Sequence, residues 1–323
     1  MKAMRVLNYG GPEALTLAEV PVPHPGPGQV LIKLEYAGVN FIDIYQRSGV
    51  YSVPLPATLG SEGAGVIDAL GDGVTGFTLG ERVAFAMQPG AYAEYCVAPA
   101  EQLVAVPERV DLSVAAAVML QGMTAHYLTY SSYALQKNDV AVAHAAAGGV
   151  GLLLTQIAKK RGAVVIGTVS TEEKAELARK AGADHVVNYT RHNFAEETLR
   201  LTDGLGAHVV YDSVGKTTFD GSLQSLRPRG YLVLFGQSSG VVPPLDLQVL
   251  NARGSLFVTR PSLKNYIQTR DELLWRANDL FSWIAAGELD VRIDSIFPLD
   301  QAGKAQEALA SRGTKGKVLL KMS

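Results

Sequence analysis

Residues 144–151 read HAAAGGVG and lie between two apolar runs, DVAVA at 139–143 and LLLTQIAKK at 152–160. The first run has strand character, and the second has the length and basic end of a helix. A strand, a glycine turn and a helix in that order let a backbone come very close to another group, because glycine carries no β-carbon. From Ala146 the turn reads A-x-G-x-x-G through Gly148 and Gly151. The dinucleotide fingerprint is G-x-G-x-x-G, whose glycines serve a tight turn, the approach of a pyrophosphate and helix–strand packing. Here alanine takes the first place. A helix starting near Gly149 would present unpaired N–H groups and a positive dipole end to a phosphate. The loop has no Gly-Lys-Ser/Thr, so it is not of the nucleoside triphosphate kind.

The surroundings support the motif. Strand candidates recur at 140–143, 164–168, 185–188, 209–212, 231–235 and 255–258. Helical stretches such as 172–181 separate the first three, which implies βαβ units in a parallel sheet. Residues 1 to about 120 read instead as short strands broken by Pro and Gly. At 29–36, Val30, Ile32, Leu34 and Tyr36 alternate with polar Lys33 and Glu35, the period of a half-buried strand. After about residue 263 come a helix at 270–286 and a strand at 317–321, expected to return to the first domain. The expected fold is α/β, a Rossmann-type doubly wound parallel sheet at 122–262, with a β-rich domain formed by 1–121 and 263–323.

A chain of 323 residues suits two domains, and 47% hydrophobic against 19% charged residues supplies ample core. The net charge of −2 lacks the basic excess of a nucleic-acid-binding domain. No apolar run approaches a membrane span of roughly 20 residues. The start, MKAMRV, leads directly into strand-like sequence, so no signal peptide is expected. The single cysteine, Cys96, excludes an internal disulfide and a thiolate zinc cluster. The expectation is a soluble cytoplasmic protein.

Which dinucleotide the loop would hold turns on the second strand. An NAD site carries Asp or Glu about 20 residues beyond the loop, but here Ser170 ends the strand. The acids that follow belong to S-x-x-E at 170–173, a capping box in which Ser170 caps the next helix and Glu173 reaches back. Lys174 then stands in a first helical turn, where a cation opposes the dipole. A bound 2′-phosphate would reverse that sign, and Tyr189, past the third strand, would add a donor. A solvated lysine paired with neighbouring glutamates is the structural alternative. The pattern favours NADPH over NADH.

No metal or nucleophile is expected. The histidines at 24, 126, 144, 185, 192 and 208 form no i, i+4 pair, and Cys96 alone cannot supply the three or four ligands of zinc. No G-x-S-x-G elbow occurs. Hydride chemistry needs neither, since the cofactor carries it.

Several segments together resemble one family. They are GVNFID at 38–43, YQRSGVY at 45–51, LGSEGAG at 59–65, QGMTAH at 121–126, HAAAGGVG at 144–151, YDSVG at 211–215, FGQSSG at 235–240 and VTRPS at 258–262. In this order, over essentially the whole chain, they resemble the zeta-crystallin-like quinone oxidoreductases of the medium-chain dehydrogenase/reductase superfamily. The resemblance implies a GroES-like β domain beside the Rossmann domain, with the active site in the cleft between them. Zinc-dependent relatives carry cysteine where this chain has Asn40 and histidine where it has Ser61, and a cysteine-rich lobe missing around 87–95.

By the same resemblance, Gly148, Gly149, Val150 and Gly151 hold the pyrophosphate, and Ser170, Lys174, Tyr189 and Arg312 the 2′-phosphate. Val214, Gly236, Ser238, Phe257 and Val258 line the adenosine and nicotinamide ends. Asn40, Ile42, Tyr45, Tyr51 and Thr124 surround the nicotinamide ring. Asn40 is expected to orient an acceptor oxygen by a hydrogen bond, and Tyr45 or a water to supply a proton. A homodimer through the last Rossmann strand is also implied. The expected activity is NADPH-dependent reduction of a quinone or another conjugated carbonyl. Enal, enone or enoyl thioester reduction is the enzymatic alternative. A non-catalytic NADPH-binding sensor or RNA-binding protein, or a structural protein with a vestigial site, are alternatives of other classes.

Overall fold

Pro and Gly punctuation keeps most strands of the N-terminal region short. They are β1 (Lys2–Val6), β2 (Leu15–Glu19), β3 (Gln29–Val39), β4 (Ala57–Thr58), β5 (Glu62–Leu70), β6 (Arg82–Ala86), β7 (Tyr95–Pro99) and β8 (Val104–Ala105). Helix α1 (Phe41–Arg47) follows β3, and α2 (Leu112–Tyr127) follows β8. Strict alternation then gives β9 (Val140–Ala143), α3 (Gly149–Lys160), β10 (Val164–Val169), α4 (Glu172–Lys180), β11 (His185–Asn188), α5 (Phe194–Leu201), β12 (Ala207–Asp212), α6 (Phe219–Gln224), β13 (Leu226–Leu234), α7 (Gln248–Ala252) and β14 (Phe257–Thr259). The last elements are α8 (Arg270–Ala285), β15 (Ile293–Pro298), α9 (Ala302–Ala310) and β16 (Lys317–Lys321). The computed structural model describes residues 1–322. It divides into Met1–Met123 together with the chain from Ile267 on, and Thr124–Tyr266.

In the first unit, β3 is the central strand. It pairs antiparallel with β5, β7 and β16, and β15 joins the sheet beyond β16. The C-terminal strand is placed by the register Leu319↔Gly38. Val30, Ile32 and Leu34 are buried while Lys33 and Glu35 are exposed, as the alternation requires. Leu31, out of phase, is buried too, because a central strand is covered on both faces. A smaller sheet orders β2-β1-β4. The core gathers Ile32, Leu34, Phe85, Tyr92, Leu103 and Leu320.

The second unit is one parallel sheet in the order β11-β10-β9-β12-β13-β14. Chain direction across the sheet reverses between β9 and β12, the switch point at which α/β sheets bind ligands beyond their carboxyl ends. Val142, Ile166, Val210, Leu223 and Leu232 form its core.

Three expectations need correction. β13 begins at Leu226, well before 231; Arg227, Pro228 and Arg229 read as a loop, and the ladder tolerates them through a register shift between Ala207 and Val209. β14 starts at Phe257 rather than 255; Ser255 stands at φ +59°, outside the extended region of regular strand backbone. Helix α4 is capped by Thr171, whose side chain accepts from Lys174 N at 3.3 Å. Ser170 is therefore not the cap, and Glu173 is not the third residue of a capping box. Two hydroxyl residues in a row allowed either reading, and β10 runs to Val169, which leaves Ser170 as the bend between strand and helix.

Candidate functional site

The glycine loop leaves the carboxyl end of β9 beside the switch point. Gly148 is the N-cap of α3 and makes no side-chain cap hydrogen bond, so the first amides of the helix face outward without a side-chain acceptor. A β-carbon at Gly151 would stand 2.2 Å from Ala145 O and 2.8 Å from Ala146 Cα, so the helix can meet the turn only through a glycine. The left-handed residue of the turn is Ala145, at φ +51°. Ala146, in place of the first fingerprint glycine, is fully buried and lies outside the positive-φ region, which is why a methyl group is accepted there. Lys159 and Lys160 complement the dipole at the far end of α3. This cradle fits a pyrophosphate.

Ser170 and Tyr189 directly follow β10 and β11. β10 and β11 run parallel in the register Val169↔Asn188, and Tyr189 N donates to Val169 O at 3.0 Å, so Tyr189 leaves its strand beside Ser170. Lys174 lies in the first turn of α4, and Tyr189 is 48% exposed. Glu172, near Lys174 in sequence, pairs with Arg179 at 2.7 Å. Arg312 follows α9 in the other unit at φ +58°.

Beneath the loop runs a buried chain of donors that residue patterns did not reveal. Ser222 Oγ donates to Asp212 Oδ2 at 2.8 Å, so it must accept from His144 Nε2 at 3.0 Å. His144 Nδ1 is then the acceptor for Thr168 Oγ1 at 2.8 Å. Burial holds the His144 pKa below its usual value, against the pull of Asp212. Asp212 Oδ1 in turn accepts from the amides of Val214 and Gly215 at 2.8 and 2.9 Å. The ends of β9, β10 and β12 are thereby joined. The turn carrying Val214 packs backbone to backbone against Gly236, whose β-carbon would lie 2.5 Å from Ser213 O. Ser238 N donates to Ser213 O at 3.2 Å. Phe257 and Val258 do not share a face: Val258 packs on the sheet core, while Phe257 is half-exposed and stacks on Tyr231 at 4.4 Å. Only one of the two can line a given surface.

In the first unit, α1 carries Ile42 and Tyr45. The Tyr45 and Tyr51 rings meet edge to face at 5.2 Å, and Tyr51 N donates to Tyr45 O at 3.0 Å. Thr124, the first residue of the second unit, is buried on α2. Asn40, also buried, starts α1, and its amide hydrogens go to Glu62 Oε2 at 2.9 Å and Gly38 O at 3.2 Å. Both donors are thus taken, so the expectation that Asn40 orients an acceptor oxygen by donation is corrected. Its oxygen accepts from Lys317 Nζ at 2.8 Å. Asp43, fully buried, accepts from Asn40 N, Ser61 Oγ and Tyr92 Oη at 2.9 to 3.0 Å. Burial outweighs these bonds and pushes its carboxyl pKa up to about 6. Glu62, Asp43, Tyr92 and Lys317 all escaped sequence reasoning. Glu62 lies in LGSEGAG at 59–65 and Asp43 in GVNFID at 38–43, whereas Lys317 looks like an ordinary strand end.

These groups do not fit zinc. At the two positions where zinc relatives carry cysteine and histidine, Asn40 faces an ammonium and the Ser61 hydroxyl is spent on Asp43. Among the described residues, no group of three or more His, Cys, Asp or Glu is placed to hold a metal. No helix among them is long and apolar enough to cross a membrane.

A six-stranded Rossmann sheet with this loop, in a chain that also carries a β-rich domain built from both chain ends, is the architecture of medium-chain dehydrogenases and reductases. Residues 26–108 match the alcohol dehydrogenase GroES-like domain, and 149–272 the zinc-binding dehydrogenase family. The chain is 46% identical to a quinone oxidoreductase of Pseudomonas aeruginosa, over 99% of both chains. It is 44% identical to a 2-haloacrylate reductase of a Burkholderia species, over 96% of both. A crystal structure of Escherichia coli quinone oxidoreductase complexed with NADPH superposes with a TM-score of 0.97 at 42% identity, covering 99% of this chain and all of that one. The chain belongs to the zeta-crystallin-like quinone oxidoreductases of the medium-chain superfamily.

Proposed function

We propose that this protein is a zinc-independent NADPH:quinone oxidoreductase of the cytoplasm. The observation that carries the reading is the glycine cradle at Gly148–Gly151, in a chain alike over its whole length to quinone oxidoreductases. The N–H groups at the start of α3, from Gly149, Val150 and Gly151, would hold the pyrophosphate. Ser170, Lys174 and Tyr189, with Arg312, would hold the 2′-phosphate, whose negative charge would offset the cost of a Lys174 cation in the first turn of α4. Val214, Gly236, Ser238 and one of Phe257 or Val258 would flank the nucleoside ends. Ile42 and Thr124 would flank the nicotinamide, and the Tyr45–Tyr51 pair would offer the acceptor an apolar face with two hydroxyls for proton supply. When bound, NADPH supplies the reducing equivalents. Asn40 would shape this region through its partners rather than touch the acceptor.

A second reading, reduction of a conjugated alkene beside a carboxylate or carbonyl, is favoured by the likeness to the 2-haloacrylate reductase. Pairing of β14 edges across a two-fold axis is the proposed dimer; β14 is an edge strand, and Phe257 on it is 49% exposed. The test is NADPH oxidation with a naphthoquinone, a 2-haloacrylate, an enone and an enoyl thioester. Turnover fastest with the quinone supports the first reading. Turnover of an alkene without the quinone replaces it, and tight NADPH binding with no acceptor turned over identifies a sensor.

A further inference from the structure

Lys317 is buried to 1% exposure, yet it lies on a strand whose other charged residue, Lys321, is exposed. Its ammonium donates to Glu62 Oε2 at 2.5 Å and to Asn40 Oδ1 at 2.8 Å. Glu62, also fully buried, receives Asn40 Nδ2 on the same oxygen at 2.9 Å. Its second oxygen accepts from Leu120 N, inside helix α2, at 2.7 Å. The neighbouring strand leaves room for this arrangement only because residue 38 is glycine. A β-carbon there would lie 2.1 Å from Glu62 Oε2 and 2.7 Å from Lys317 Cε.

A buried ion pair is weak support for stability, because desolvation offsets its attraction. Simple neutralisation of Glu62 would need no contact with Asn40, and a backbone amide in mid-helix has no ordinary call for a carboxylate. What the four groups share is position. Asn40 begins α1, the helix of Ile42 and Tyr45, and Leu120 lies one turn before Thr124 on α2.

We propose that Lys317 is a positioning residue of the reductase site: through Asn40 and Glu62 its ammonium sets the start of α1 and the middle of α2. It is not a catalytic residue, since it acts only through others. The consequence for turnover rests on the quinone oxidoreductase reading, whereas the clamp itself does not.

Lys317→Met alone strands a buried carboxylate and invites unfolding. The informative variant is Lys317→Met with Glu62→Gln, which removes both charges at similar volume. Hydrogen exchange of the cofactor-free protein should show α1 amides and Leu120 exchanging at least about tenfold faster, with the parallel sheet unchanged. With NADPH and a naphthoquinone, kcat should fall about tenfold or more and KM for NADPH stay within about twofold. Asn40→Ala, which leaves the ion pair intact, should loosen α1 and spare Leu120. Because Lys317 acts through Asn40, combining all three substitutions should lower kcat little beyond the larger separate effect. Unchanged exchange at α1 and Leu120 in the charge-free variant would overturn the clamp, as would an unfolded charge-free variant together with an Asn40→Ala protein whose α1 exchanges normally. Altered exchange with kcat within twofold would overturn the positioning role. If the unsubstituted protein turns over no quinone while the exchange pattern appears, the functional reading fails and the clamp stands.

Discussion

The α-carbon of Gly151 faces the carbonyl oxygen of Ala145 so closely that any β-carbon would come within 2.2 Å of it. At Gly148 the same carbonyl would lie 3.2 Å from a β-carbon. The two fingerprint glycines therefore differ in tolerance. Gly151→Ala is expected to displace the turn and weaken NADPH binding by at least about a hundredfold, roughly 2.7 kcal/mol. Gly148→Ala should fold normally and lose no more than about tenfold. Titration of cofactor fluorescence measures both, and equal losses would show that the packing of helix on turn is not what the second glycine serves.

Lys174→Ala combined with Tyr189→Phe tests the 2′-phosphate assignment. Affinity for NADPH should fall about tenfold or more, on the order of 1.4 kcal/mol, while affinity for NADH barely moves. Equal losses for the two cofactors would remove these residues from the phosphate site.

Asp43 makes stability depend on pH in an unusual direction. Its carboxyl, at about 6 in the fold against 3.8 for the free group, stays protonated in the native protein over a range where the unfolded chain has lost its proton. The native state thus binds more protons, and stability falls as pH rises from about 4 to 6, by about 3 kcal/mol over that span. Asp43→Asn should remove this component. The difference in denaturant stability between variant and parent, followed from pH 4 to 7, isolates it. A flat difference would show that Asp43 titrates as an ordinary carboxylate.

His144 acts with the opposite sign. Its folded pKa lies below 6.5, so below that pH the unfolded chain takes up the proton more readily and stability is lost as the solution is acidified. Above pH 6.5 the contribution is complete. His144→Gln should cost about 1–2 kcal/mol at pH 7 for the disturbed hydrogen bonds, and the penalty should shrink on acidification towards pH 5. A penalty independent of pH would mean that His144 is not held neutral by the fold.

The parallel sheet was legible because βαβ alternation is a local signal: the strands at 140–143 and 185–188 and the start of α3 at Gly149 lie where the pattern put them. The edge of the sheet was less so. Arg229 at φ +60° and Ser255 at φ +59° are backbone facts with no periodic trace. The cap of α4 fell to Thr171 because composition cannot choose between adjacent hydroxyls when the end of a strand decides it. The phosphate-side residues could be proposed from their order along βαβ units. The cluster around Glu62 could not, since Lys317 meets Asn40 across 277 positions of chain. Buried charge has no periodicity, and only the fold pairs it.

The chain order of these elements has a further consequence, for synthesis. The parallel sheet is built from one uninterrupted stretch and has all its strands once β14 has been made. The first unit must wait: β3 lacks its neighbour β16, and Glu62 lacks its counter-charge, until Lys317 leaves the ribosome. The emerging N-terminal strands therefore hold an unpaired edge and an uncompensated carboxylate for nearly the whole of translation, so this unit can close only after the other has every strand it needs.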